Sequence, residues 1–134
     1  MNTHMTKIEA PTWLPKLFQA IDTLDFSENS GFEILRDDIV MQFGQEKIIG
    51  LENVKAYFKK IDEPFITEHF IHDVYQVGNA IIMNGGAKIT EKQNLDNVIS
   101  FDSLLNILWL DENNLVERYV VDYPPELEQH KPKN

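Results

Sequence analysis

The chain has 134 residues, 43% of them hydrophobic and 25% charged, with a formal net charge of −10 and no cysteine. Its length and apolar content suit one folded domain, and the acidic balance argues against nucleic acid and anionic membrane surfaces as partners. Without cysteine there is no disulfide, no thiolate nucleophile and no Cys-type zinc site.

The opening MNTHMTKIEAP has no apolar run of the signal-peptide kind, and no window reaches the ~18 apolar residues of a membrane span. A cytoplasmic protein is expected, with residues 1–11 as a flexible N-terminus. Thr12 reads as a helix N-cap, with Pro15 in the first turn, where a missing N–H costs little. Leu14, Leu17, Phe18, Ile21 and Leu24 then recur at helical spacing and predict a first helix to about Leu24. A short strand is expected over Ile39–Phe43, and Ile48–Ile49 continues a second after the turn GQEK. Gly50 opens a second helix, marked by Leu51, Val54, Phe58 and Ile61 and closed by Pro64.

From Phe65 the apolar period becomes two. Long strands are predicted over Phe65–Val77, Ala80–Thr90, Val98–Leu110 and Leu115–Asp122, with Gly78–Asn79 as a tight turn. Gly85–Gly86 inside a strand signals a bulge or sharp bend. EKQNLDN reads as a polar loop, and residues 126–134 as a flexible tail after Pro124–Pro125. The expected architecture is α+β: a single domain over residues 12–125, with helices on one face of a curved antiparallel sheet.

LRDDIVMQF, GLENVKAYF, VYQVGNAIIMNGGAKI and FDSLLNILWLDENNLVERYVVD follow one another in an order that resembles the superfamily of nuclear transport factor 2, ketosteroid isomerase and the SnoaL-like polyketide cyclases. The resemblance spans Trp13 to Tyr123. It implies a cone-shaped domain with an internal pocket, commonly dimerised sheet to sheet. That superfamily mixes enzymes with binding modules, so the fold does not decide the function.

Ketosteroid isomerases use an aspartate base, with a tyrosine and a protonated aspartic acid as oxyanion donors. On the resemblance, the base falls at Met41 or Phe43, the tyrosine near Phe18 and the second acid at Asn106. The SnoaL-like acid falls near Val120, with Asp122 one register slip away. The usual catalytic set is therefore absent, although Asn106 can still donate a hydrogen bond. Trp13, Phe18, Met41, Phe43, Tyr57, Leu104 and Leu108 are expected either to line an apolar pocket or to form the core, which composition does not separate.

His72, Asp102 and Asn106 are the candidate catalytic residues, with His69 as the alternative histidine. His69 and His72 are three apart on one strand, so they face opposite sides and cannot share a metal; no metal or cofactor is expected. Asp37–Asp38 reads as turn chemistry, and Arg118 with Glu117 and Asp122 as a surface ion cluster. The segment from Leu104 to Leu110 is apolar on both faces, so both are expected to be covered. A homodimer through the Trp109 face, with Asn106 facing the pocket, is the simplest cover. The favoured function is binding of a small apolar molecule. An isomerase, dehydratase or hydrolase with a His/Asp acid–base group, and a non-catalytic interaction module, stand as alternatives.

Overall fold

The computed structural model describes residues 4–122. The expected tail at 126–134 and residues 123–125 of the expected domain lie outside them. Among the described residues the strands are β1 (Thr6–Ile8), β2 (Leu35–Phe43), β3 (Glu46–Ile49), β4 (Phe65–Val77), β5 (Ala80–Glu91), β6 (Asn94–Leu110) and β7 (Val116–Asp122). The helices are α1 (Trp13–Thr23) and α2 (Leu51–Asp62). The strands form one sheet in the order β1-β4-β5-β6-β7-β2-β3. All neighbours are antiparallel except β2 and β7, which run parallel. Both helices pack on the same concave side, giving an α+β cone.

α1 buries Leu14, Leu17, Phe18, Ala20 and Ile21, the stripe that helical spacing predicts. α2 starts at Gly50, where φ is 94°. Glu52 in its first turn and Lys59 and Lys60 in its last complement the helix dipole. It buries Val54 and Phe58 against β2, β3 and β4. Met41, Ile39, Leu108 and Tyr119 meet these helices from the sheet, each at most 1% exposed. Burying each such large apolar side chain is worth roughly 1.5–3 kcal/mol.

Three features differ from the sequence reading. Residues 6–8 form β1, pairing Thr6 with Gln76 and Ile8 with Val74, within the segment read as flexible. β2 begins at Leu35, which pairs with Val116 before a register shift that ends at Val40, opposite Arg118 on β7; Leu35 and Ile39 are both buried. EKQNLDN is no loop: it closes a hairpin in which Glu91 pairs with Asn94.

The sheet bends where β4 and β5 are irregular. Ile71 pairs with Gly85 and Asp73 with Asn84, so His72 is an extra residue without a partner on β5. A second shift falls between Gly85 and Ala87 against β6. The two glycines are required there. A Cβ at Gly85 would lie 2.2 Å from the Phe70 carbonyl oxygen, and one at Gly86 2.7 Å from that of Phe101. Bulges of this kind increase twist and re-aim side chains. Because of the bulge at His72, it is Val74, not Asp73 and Tyr75, that continues the buried side of the strand beyond Ile71.

Candidate active site

A cavity of about 50 Å³ lies between the helices and the concave sheet. Its apolar walls include Phe18, Phe43, Phe58 and Leu104, and its polar lining is Asp62, Thr67, His69, Asn106 and Tyr119. At roughly 30 Å³ per water, it has room for one or two. A separate open groove of about 590 Å³ runs outside, along α1 and β4, lined by Gln19, Asp22, Phe70 and His72 among others. Phe18 and His69 line both spaces. Their rings stack with centroids 5.3 Å apart and form the partition between them.

His69 is held by Asp22, which reaches across from the penultimate residue of α1. The Asp22 carboxylate accepts from His69 Nδ1 at 2.5 Å, from the His69 backbone N–H at 2.9 Å and from Thr67 Oγ1 at 2.8 Å. Three donors on one carboxylate fix its position and that of the ring. With Nδ1–H given to Asp22, Nε2 is the ring nitrogen left to take up a proton. That arrangement makes a general base, with the carboxylate ready to stabilise the imidazolium that forms on protonation.

Asp62 ends α2. The residue keeps some accessible surface, but its carboxyl lies deep, and burial pushes its pKa up to about 7. The His69 ring acts against that rise and the Asp22 charge adds to it. On the far side, Tyr119 Oη donates to Asn106 Oδ1 at 2.6 Å. Burial, then the Asp22 and Asp62 carboxylates, push the Tyr119 pKa up, so the phenol remains a donor. With the Asn106 carbonyl engaged, its contribution to the cavity is the amide N–H.

Of the residues expected from the sequence, the cavity gathers Phe18, Phe43, Leu104 and Asn106. Met41 and Leu108 are fully buried core residues, and Trp13 and Tyr57 pack against that core from outside it. Tyr57 reaches the cavity through Phe43, edge to face at 5.6 Å between centroids. His72 is exposed in the outer groove, and Asp102 is exposed and does not line the cavity. Asp37 is exposed, and Asp38 binds Arg36 at 2.6 Å. Arg36 also pairs with Glu117, while Arg118 lies 4.9 Å over the Trp109 ring.

Sequence reasoning missed Asp22, Asp62, Thr67 and Tyr119. A signal existed for the two acids. Asp22 falls four residues after buried Phe18 and Asp62 four after buried Phe58. Each therefore continues an apolar helical stripe with a carboxylate. Among the described residues, no group of three or more His, Asp or Glu side chains is arranged to hold a metal ion, and no helix is long and apolar enough to cross a membrane.

No family model and no curated protein matches the chain. Solved structures do. One is a Catenulispora acidiphila protein with a ketosteroid isomerase-like fold, bound to trimethylamine. It superposes with a TM-score of 0.73 at 11% identity over 87% of this chain and 88% of that one. A second is an epoxide hydrolase from Mycobacterium tuberculosis resembling the LEH type, with a TM-score of 0.66 at 15% identity over 81% and 77% of the two chains. A third is a candidate SnoaL-like polyketide cyclase from Shewanella putrefaciens, with a TM-score of 0.67 at 18% identity over 90% and 97%. At these identities the likeness is one of architecture: the chain has the cone-shaped fold of the ketosteroid isomerase-like and SnoaL-like proteins.

Proposed function

We propose that this protein is an enzyme that moves a proton to or from carbon in a small, largely apolar carbonyl compound. His69 is the base, Asp22 orients it, and the Asn106 amide binds the carbonyl oxygen. One observation carries the reading: His69, held by Asp22, lines an apolar cavity whose polar lining also includes the buried Asn106 amide. A structural histidine would need neither a carboxylate with three donors nor a cavity beside it. Proton abstraction next to a carbonyl needs a base of this kind and a donor for the developing enolate.

The same reading takes residues 12–125, with β1 added at the edge of their sheet, as a single cytoplasmic domain that forms a homodimer through the convex face of the sheet. Tyr75, Ile82, Ile107 and Val120 are paired neighbours across β4, β5, β6 and β7 on that face. They make an apolar row that water alone covers poorly.

Binding without chemistry is the second reading, favoured by the small volume of the closed cavity. Deuterium exchange separates the two. Butanone in D₂O should lose its α-hydrogens faster with the protein than in buffer, and His69→Gln should lower that gain ~10²–10⁴-fold. Equal exchange in the wild type and His69→Gln would refute the enzymatic reading.

A further inference from the structure

The proton-transfer role of His69 leaves one buried carboxyl unused. Asp62 lines the same cavity as His69 and Asn106. The titratable groups that act on it are His69 from β4 and Asp22 from α1, and among the described residues no lysine or arginine does. Tyr119, from β7, is the other titratable group of the cavity and is held by Asn106. A carboxyl placed there without a cation is destabilised as an anion and favoured as an acid. The helix sets this position: Asp62 lies one turn beyond Phe58, on the stripe that α2 turns toward the cavity.

We propose that Asp62 is the acid of the site, and that its substrates are small β-hydroxy carbonyl compounds, from which it removes water. The assignment rests on His69 as the base. His69 Nε2 takes the proton from the carbon next to the carbonyl while the Asn106 amide N–H holds the carbonyl oxygen. The electron pair left on carbon becomes the new C=C bond as the C–O bond to the β-hydroxyl breaks. The Asp62 carboxyl gives its proton to that hydroxyl, which leaves as water. His69 then carries an extra proton and Asp62 lacks one, and transfer between them restores both.

An isomerase needs one group that takes and returns a proton, whereas a dehydratase needs a second group for the leaving oxygen. A base and a separate neutral acid in one cavity match the second requirement. The cavity with Phe18 in place has room for one or two waters, the species that this reaction releases. An organic substrate of about five or six heavy atoms needs Phe18 to swing toward the outer groove, which that ring already borders.

The test uses 4-hydroxybutan-2-one in D₂O, followed by NMR. Deuterium entry at C3 reports the base alone, and formation of but-3-en-2-one reports the acid as well. The expected result for Asp62→Asn is a loss of dehydration of at least ~100-fold, with exchange falling less than tenfold. His69→Gln should lose both. Dehydration falling no more than exchange in Asp62→Asn overturns the role of Asp62 and leaves His69 as the base. A wild type that does neither overturns both readings. Independently of turnover, the Asp62 carboxyl carbon, assigned by its absence from Asp62→Asn, should titrate near neutral pH; titration complete below pH 5 also overturns the proposal.

Discussion

Asp22 and His69 are 47 residues apart in the chain and 2.5 Å apart in space. The pair ties α1 to β4, so it is a tertiary clamp as well as a catalytic candidate. Asp22→Asn keeps the shape but turns one acceptor into a donor facing N–H groups. Hydrogen bonds to charged groups contribute about 1.5–3 kcal/mol each, so an overall loss of about 2–4 kcal/mol is expected in urea unfolding. Nitrogen-15 spectra should also show the Nδ1–H tautomer in the wild type and a mixed population in the variant. An unaltered tautomer would show that Asp22 does not orient the ring.

Asp62 should make stability fall with rising pH. Its pKa is about 3.8 in the unfolded chain and about 7 when folded. Between those values the folded state holds a proton that the unfolded state has released. The stabilisation is complete below pH 4, declines as pH rises toward 7 and is gone above it. At ~1.4 kcal/mol per pH unit the full effect is of order 4 kcal/mol. Asp62→Asn should flatten this slope and raise the melting temperature at pH 8 by roughly 10–15 °C. Parallel curves for the two proteins would show that Asp62 is not buried as an acid.

Phe18 partitions the cavity from the groove. Phe18→Ala should join the two spaces, at a stability cost of about 3–5 kcal/mol. The gentler Phe18→Leu should still admit small ketones more readily, seen as a larger rise in melting temperature with ligand. The wild type should not isomerise 3-keto steroids at an enzymatic rate: the cavity is about 50 Å³, and Met41 and Phe43 offer no base on β2. Turnover of several per second would contradict this.

The convex face gives a separate test. Light scattering at micromolar concentration should return twice the 15.6 kDa chain mass, and Ile107→Lys, in the middle of the apolar row, should return the monomer. Trp109→Lys should act in the same direction but less, because Arg118 already covers part of that ring. A monomeric wild type would remove the dimer from the reading.

The fold was legible because periodicity carries it. The apolar stripes of α1 and α2 and the period-two strands are local patterns, and Gly85–Gly86 marked the bend. The register was not. One extra residue at His72 shifts which side chains face inward beyond it, and a bulge in β4 has no composition of its own. The site was read least well for a related reason. Asp22, Asp62 and Tyr119 come from three elements, and only packing brings them to His69. Sequence favoured His72 over His69, since alternation alone does not say which face of a strand is inside. Asn106 stood out from the sequence because the resemblance puts the second acid of the ketosteroid isomerases at its position.

The parallel pairing of β2 with β7 has a consequence for synthesis. Among the described residues, β7 is the only strand that bridges β2–β3 and the strands that follow α2. Until residues 116–122 have left the ribosome, both β2 and β6 expose an unpaired edge, and α2 has only part of its sheet to pack on. Non-local pairings of this kind close slowly, and open edges invite wrong partners in the meantime. A chain stalled or cut before Val116 would therefore expose two adhesive edges at once, so premature termination should yield aggregates or substrates for chaperones instead of a smaller folded domain.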